Sequence, residues 1–249
     1  MIIEQEIITI RQRRQEIVQV LKNAREQNII KDIISVNIHD SNAFIFNFQD
    51  NNQEIQNLDI ANVEPFNNYI FQKLRENNTQ IGFGRFDENR TFYGRCKQFQ
   101  NTQQARTIHL GVDLWVEPGT RIFAPLNAKI HSFQFNNNVG DYGPTIILEH
   151  ELGGIIFYTL YGHLTTDSIK NLNVGQNILA GQEIAKAGIF PQNGNWPPHL
   201  HFQIITDMQS NIGDFPGVCS EEDRERFLEI CLDPNLILNI ERLKWKRKK

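Results

Sequence analysis

A periodic stripe of apolar residues near the start of the chain predicts an amphipathic helix. Over residues 7–24 the apolar positions recur at intervals of three, seven, four and three, which is the spacing of one helical face. The members of this stripe are Ile7, Ile10, Ile17, Leu21 and Ala24. Arginine and glutamine occupy the opposite face, so we expect the apolar side of the helix to be a packing surface.

The rest of the first eighty residues predicts a small α+β unit. Residues 29–38 and 43–48 are rich in isoleucine and phenylalanine and indicate two strands joined by a polar turn. A second helix is predicted over 66–76, where phenylalanine, isoleucine and leucine recur every four residues after a proline. We place the boundary of this N-terminal domain, residues 1–80, near an Asn-Asn-Thr run. No motif within it indicates a role.

The second half of the chain has the pattern of an antiparallel sheet. Short β-rich runs alternate with turns of glycine, proline and asparagine, and no helical segment of any length intervenes. The runs are 121–126, 128–135, 145–149, 155–160 and 200–205. We therefore expect a mostly antiparallel domain over 81–240, and the chain as a whole to be α+β.

Three further segments flank these strands. In the bridge over 81–101 we expect Arg85 or Arg90 to lie near a cleft, and a solvated or salt-bridged arginine is the simplest interpretation. An insertion at 207–232, with an acidic helical stretch, is expected to shape one rim of that cleft. A basic tail, 241–249, closes the chain and is expected to be solvated.

Composition excludes some classes of function. The chain has 249 residues and a formal net charge of −4, which gives no electrostatic case for a nucleic-acid partner. Three cysteines without a Cys-x-x-Cys pair indicate reduced thiols rather than a disulfide framework. The first residues carry acids and no signal-peptide pattern, and no run of about 20 apolar residues predicts a membrane span. A cytoplasmic location is expected, with export by a route that needs no such signal left open.

Candidate chemistry is concentrated in two short segments and one histidine between them. The segments are His109-Leu-Gly-Val-Asp113 and His199-Leu-His201, and the histidine is His163. In a strand, residues i, i+2 and i+4 share one face, so the side chains of each segment can converge. Imidazole nitrogens and carboxylate oxygens are the usual ligands of a catalytic zinc ion. Three of these side chains suit such a metal, which leaves two histidines for proton chemistry.

Residues 106–202 resemble the zinc metallopeptidases of the M23 family, also called the LytM or lysostaphin type. The resemblance is carried by a collinear set of motifs: H-L-G-V-D at 109–113, P-G-T-R-I-F-A-P-L at 118–126, D-Y-G-P-T-I-I-L-E-H at 141–150, Y-G-H-L at 161–164, V-G-Q at 174–176, A-G-Q at 180–182 and P-P-H-L-H-F at 197–202. It implies an open, LytM-like β-sandwich with a groove across one sheet and the metal on its floor.

The resemblance also implies roles for five side chains. It assigns one Zn²⁺ per chain to His109, Asp113 and His201, and catalytic roles to His163 and His199, without saying which of the two is the general base. The implied activity is a zinc-dependent endopeptidase that hydrolyses peptidoglycan stem or cross-bridge peptides through a metal-activated water.

Small departures from the family pattern leave these five positions intact. The family often has Gly-Pro before its H-L-H and glutamate after the following phenylalanine, whereas this chain has Pro197, Pro198 and Gln203. Neither change replaces an implied ligand, so an active enzyme is still expected.

Two other functions remain open at this stage. The fold could serve as a zinc-containing binding or regulatory module without catalysis. H-L-G-V-D also resembles a segment of the glucose-type phosphocarrier domain, although that domain has no use for His-x-His. Elsewhere, His131 and His150 are expected to be structural, and Tyr161 and Trp196 are candidates for lining a peptide groove.

Overall fold

The described part of the chain contains one large sheet, two small sheets and five short or medium helices. The computed structural model describes residues 2–49, 51–60, 62–95 and 105–244. The helices there are α1 (Ile2–Glu26), α2 (Gln53–Gln56), α3 (Val63–Glu76), α4 (Arg224–Ile230) and α5 (Asn235–Leu238). The strands are β1 (Phe44–Ile45), β2 (Gly82–Gly84), β3 (Arg106–His109), β4 (Val112–Trp115), β5 (Arg121–Phe123), β6 (Ala128–Asn136), β7 (Gly143–Leu152), β8 (Ile155–Gly162), β9 (Asn177–Ile178), β10 (Glu183–Lys186), β11 (His199–Ile205), β12 (Val218–Ser220) and β13 (Cys231–Leu232). Cys96 and residues 245–249 of the predicted basic tail lie outside the described residues.

The large sheet is almost entirely antiparallel, as predicted. Its strand order is β1-β2-β4-β11-β8-β7-β6-β9, and β13 pairs with the end of β11. The exception is the edge pair β1 and β2, which is parallel. A second layer, the two-stranded sheet of β5 and β10, packs on one face through residues such as Ile122 and Ala185. The fold class predicted from the sequence is thus confirmed.

Because side chains alternate along each strand, the two faces of this sheet carry different kinds of residue. Along β11, Leu200, Phe202 and Ile204 are fully buried in the main apolar core. The residues between them, beginning with His199 and His201, point to the opposite face. Strand β4 repeats the pattern, because its apolar valine and leucine enter the core while its aspartate and tryptophan share the face of the histidines. One face therefore packs in the core, and the other lines a cleft.

Helix α1 covers the core face, and its apolar stripe is where the sequence predicted it. Ile17 and Leu21 are fully buried among core residues of the sheet. At its C-terminal end, the Arg25 guanidinium donates to backbone carbonyls of α5, those of Asn235 and Leu236. The side chain of Ile7 lies outside the described residues. Neither α1 nor any other helix in the described ranges is long and apolar enough to cross a membrane.

The two strands predicted in the N-terminal region are much shorter in the structure. Residues 29–38 form a single β-bridge, from Ile34 to Ile122, because this segment runs along the edge of β5 rather than joining the large sheet. The run at 43–48 keeps only the two residues of β1. The predicted helix at 66–76 is confirmed as α3, which begins three residues earlier with Asn62 as its N-cap.

Residues on both sides of position 80 share one apolar core. Ile17, Leu21, Ile33 and Ile34 lie in the same buried group as strands β4 and β11. A second buried group joins the aromatic side chains of the N-terminal region to Trp115 and Trp196. The division into domains at residue 80 stays a prediction, but burial is continuous across it.

Truncation of a core residue on α1 tests that continuity. Leu21→Ala is expected to lower the free energy of unfolding of the whole chain by about 2–5 kcal/mol, because a fully buried leucine leaves a cavity. Chemical denaturation would measure the loss. Lys22→Ala, at the exposed neighbouring position, is the control and should change it by less than about 0.5 kcal/mol. A loss confined to a separate early transition would show instead that the N-terminal region unfolds on its own.

Acid should destabilise the protein through His150. Burial lowers the pKa of this fully buried ring to about 4, and its Nδ1–H donates to the Asn127 carbonyl at 3.0 Å. Between pH 6.5 and 4, His150 binds a proton in the unfolded chain but not in the folded chain. The free energy of unfolding therefore falls as pH falls through that window. From pH 7 to pH 5 the share of His150 is about 2 kcal/mol. Denaturation curves of His150→Gln should show a pH dependence smaller by that amount, and an equal dependence would contradict the assignment.

Candidate metal centre and cleft

Strand register brings Asp113 and His201 together. The two residues are direct cross-strand partners in the antiparallel pair β4–β11, so their side chains leave the same face at adjacent positions. Asp113 Oδ1 lies 3.1 Å from His201 Nδ1. Both residues are only 2–3% exposed.

His109 reaches the same point from a different strand. The predicted continuous strand through 109–113 is wrong, because the chain breaks after His109 and β4 begins only at Val112. The break contains Gly111, where an added Cβ would lie 2.6 Å from the His201 ring and 2.8 Å from the Phe202 carbonyl oxygen. The bare backbone lets the His201 ring approach, and His109 Nε2 ends 3.2 Å from Asp113 Oδ1.

Hydrogen bonds behind the two imidazoles determine which nitrogens face the centre. His109 Nδ1 lies 2.8 Å from the Arg85 carbonyl oxygen, which can only accept, so Nδ1 carries the proton. Gln203 donates its amide Nε2 to the Pro216 carbonyl, so its Oε1 accepts from His201 Nε2 at 2.8 Å. The nitrogens left without protons, His109 Nε2 and His201 Nδ1, face each other at 3.1 Å.

This arrangement fits a metal ion. Two nitrogen lone pairs and a carboxylate oxygen repel one another at such distances unless a cation lies among them. His109, Asp113 and His201 are a set whose donor atoms all lie within 4.8 Å of one another. Burial lowers the pKa of His109 to about 4, so this ligand is neutral at pH 7, as metal binding requires.

Asp113 is ionised despite its burial. Burial alone would raise its pKa, but neighbouring positive charge and hydrogen bonds outweigh that effect and hold the pKa well below its ordinary value. Because His109 is neutral at pH 7, the permanent cation beside Asp113 is Arg90, which donates from Nη1 to Oδ2 at 2.6 Å. The sequence predicted Arg85 or Arg90 near the cleft and favoured a solvated or salt-bridged arginine; Arg90 lines the cleft and is salt-bridged to Glu88 and Asp113. In the structure Arg90 is fully buried.

His199 and His163 lie side by side next to this centre, with their rings tilted by 34°. Their ring centroids are 4.1 Å apart, and His199 Nε2 lies 3.8 Å from Asp113 Oδ1. Each donates its Nδ1–H to a backbone carbonyl, that of Pro197 at 2.7 Å and that of Asn193 at 2.8 Å, so each keeps an unprotonated Nε2. Burial lowers the pKa of His199 to about 4 and that of His163 well below its ordinary value.

The backbone of His163 is held in an unfavourable conformation. Its φ is 62°, in the left-handed region that residues other than glycine seldom occupy. Hydrogen bonds from its N–H to the Tyr142 carbonyl at 2.7 Å and from Gly188 N–H to its own carbonyl at 2.8 Å stabilise it there. Such strain is commonly found at functional sites, because the surrounding structure must maintain it.

Aromatic residues surround the histidines, but one of the two aromatic residues predicted to line the cleft lies in the core instead. Trp196 lines the cleft as expected, whereas Tyr161 does not, because strand alternation turns it into the core against Phe202. Trp115 was missed: it lies opposite His199 in the strand register, and their rings stack at 4.1 Å. Its position two residues after Asp113 in a strand was the available signal, because such residues share a face.

The cleft has a cavity volume of about 560 Å³, within the usual range for a small-ligand site. One wall is aromatic and comes from Phe66, Phe92 and Tyr93. The insertion supplies part of the opposite rim, residues 211 and 214–218, as the sequence predicted. His131 and His150 are not among the lining residues in the described part of the chain.

Comparison with known proteins shows that part of this chain is similar to one peptidase family. Residues 107–212 match the model described as peptidase family M23. The matched segment contains all five of the side chains discussed above. No curated protein sequence matches the chain.

Solved structures similar to this chain include three peptidases. The catalytic domain of the antimicrobial peptidase lysostaphin from Staphylococcus simulans is 26% identical, with a TM-score of 0.38, over 53% of this chain and 80% of that chain. A putative peptidase M23 from Pseudomonas aeruginosa is 20% identical, with a TM-score of 0.35, over 52% and 43%. A zinc-containing peptidase from Vibrio cholerae is 24% identical, with a TM-score of 0.31, over 43% and 31%. The chain thus spans less than half the length of the last two.

Removal of one ligand should abolish metal binding. Dialysis of the full chain against a first-row divalent metal is expected to leave about one ion per chain, measured by elemental analysis, and His109→Ala should leave almost none because two protein ligands remain. His131→Ala, which alters a histidine outside the cluster, is the matched control and should bind as the wild type does. Unchanged metal content in His109→Ala would rule out this centre.

Proposed function

We propose that this chain, whose residues 107–212 match the model of peptidase family M23, is a zinc-dependent endopeptidase. The proposed substrates are stem or cross-bridge peptides of peptidoglycan, which contain glycine or D-amino acids. The observation that carries the proposal is the convergence of four unprotonated imidazole nitrogens and one carboxylate oxygen on one wall of the cleft.

Each of the five side chains has a role in this proposal. His109, Asp113 and His201 hold the zinc ion. A zinc ion bound there lowers the pKa of water to about 7 and polarises the carbonyl of the scissile bond. His199 and His163 act on protons, because each has a neutral ring whose Nε2 is free to accept one at pH 7. The Nδ1–H bonds to main-chain carbonyls keep both rings oriented and keep their tautomers constant.

The surroundings of the histidines suit proton transfer. The Trp115 indole covers one face of His199 and Trp196 lies edge-on to His163, so apolar surface excludes water from both rings. A site from which water is excluded strengthens electrostatic interactions with a developing charge. The aromatic wall and the insertion line the same cleft as the proposed metal ligands, which is where the peptide would bind.

A non-catalytic binding module would need the metal ligands but not the adjacent His199 and His163. His163 is maintained at a positive φ, which has an energetic cost, and a module without chemistry would gain nothing from that cost. The phosphocarrier alternative has no use for two lone pairs that face each other across a buried carboxylate.

Analysis of released peptides tests this function. Zinc-loaded wild-type protein is expected to release soluble peptides from purified peptidoglycan, identified by mass spectrometry, and the masses would identify the bond. His199→Ala should bind zinc normally but lower the rate about 10²–10⁴-fold, because it removes only a proton-transfer group. His131→Ala should cleave as the wild type does.

The outcomes of this test separate the alternatives. Absence of fragments from zinc-loaded wild type, with both intact peptidoglycan and soluble muropeptides, would contradict a cell-wall substrate. Zinc loss in His199→Ala would show that the ligand within His-x-His has been misassigned.

A further inference from the structure

A buried arginine lies directly behind the metal ligands. Arg90 is 0% exposed, and its guanidinium makes contacts in four directions. Its Nη1 donates to Asp113 Oδ2 and to the Tyr93 hydroxyl, both at 2.6 Å, and its Nε donates to Glu88 Oε2 at 2.9 Å. Its Nη2 lies 3.5 Å from the Arg85 carbonyl oxygen, the same oxygen that accepts from His109 Nδ1. One side chain therefore touches one ligand and the group that orients another.

Glu88 neutralises this arginine and connects it to the N-terminal region. It is 1% exposed, and its second oxygen, Oε1, accepts from the backbone N–H of Phe48 at 3.0 Å. The Phe48 ring also packs under the guanidinium, with the Arg90 Cζ 4.8 Å from its centroid. A chain of contacts thus runs from Phe48 through Glu88 and Arg90 to Asp113. A buried charge without partners is strongly destabilising, so Arg90 and Glu88 each depend on the other.

Gly84 makes room for this arrangement. It pairs with Asp113 across β2 and β4, and an added Cβ would lie 2.4 Å from Arg90 Nη2 and 3.0 Å from Asp113 Oδ2. The second glycine of the Gly-Phe-Gly run that forms β2 therefore leaves space for the Arg90 guanidinium. Sequence, strand register and burial agree that Arg90 is built into the site.

We propose that Arg90, supported by Glu88, is a positioning residue that holds the Asp113 carboxylate with Oδ2 engaged and Oδ1 turned to His109 and His201. The inference rests on the proposed zinc site. Under this proposal, the first ninety residues complete the layer of contacts behind the metal ligands. Groups that orient metal ligands commonly influence affinity about 10–100-fold, because a ligand free to rotate must be ordered when the metal binds.

Variants of Arg90 and Glu88 separate the effect of charge on zinc affinity from the effect of positioning. Arg90→Met removes the guanidinium that engages Asp113 Oδ2, so the carboxylate is no longer held in place. Loss of positioning then dominates, and zinc affinity should fall about 10–100-fold. Arg90→Lys keeps the charge but cannot reach Glu88 and Asp113 together, so it should not restore affinity. Glu88→Gln leaves an uncompensated cation beside a site for a dication and should also weaken binding.

The experiment measures zinc dissociation constants of the full chain by competition with a chromophoric chelator, alongside the melting temperature of the metal-free protein. Gly84→Ala is included because it disturbs the Arg90–Asp113 contact without altering a charge, and it too should bind zinc more weakly. The visible spectrum of cobalt-loaded protein should change in Arg90→Lys and Gly84→Ala, since it reports ligand geometry directly.

Arg224→Met is the matched control. Arg224 forms a two-point ion pair with Asp87, at 2.7 and 3.0 Å, and does not contact Asp113. It should lower the melting temperature while leaving zinc affinity unchanged. Equal weakening in Arg224→Met, full affinity in Arg90→Lys, or wild-type affinity across the Arg90 and Gly84 variants would overturn the proposal while leaving the zinc peptidase intact. Failure of the wild type to bind zinc would overturn both.

Discussion

The pairing of β4 with β11 is the constraint on which the rest of the site depends. Because side chains alternate along a strand, the register that places Asp113 opposite His201 also places Trp115 opposite His199 and sends the intervening apolar residues into the core. If β11 slipped by one residue against β4, His199 and His201 would turn into the core, and Leu200 and Phe202 would turn into the cleft. Packing on one face therefore determines which side chains meet on the other.

The N-terminal region contributes to both faces of this sheet. Helix α1 completes the core behind it, while the aromatic residues around Phe48 and Phe66 pack against Trp115, which stacks on His199. The region that carries no recognisable motif thus supports the catalytic histidines of the proposal from one side and, through Glu88, the metal ligands from the other.

Much of the site could be predicted from local spacing, because His-x-His and His-x-x-x-Asp place side chains on one face of a strand. What spacing could not reveal were features set by distant partners. The strand breaks at Gly111 because the His201 ring needs the space, Tyr161 enters the core because of its pairing with Phe202, and Arg90 is buried because Gly84 and Asp113 lie opposite each other. Residues 29–38 have a strand-like composition, yet they meet only the edge of a small sheet. Each of these outcomes depends on a contact between residues far apart in the chain.

The link from Glu88 to the N-terminal region uses the main chain of Phe48, not its side chain. Every amino acid except proline offers that N–H, so the connection behind the metal ligands tolerates drift in side-chain identity at position 48 as far as packing allows. A functional dependence between two parts of a protein can in this way be invisible to any comparison of side chains, because the donor that maintains it belongs to the backbone.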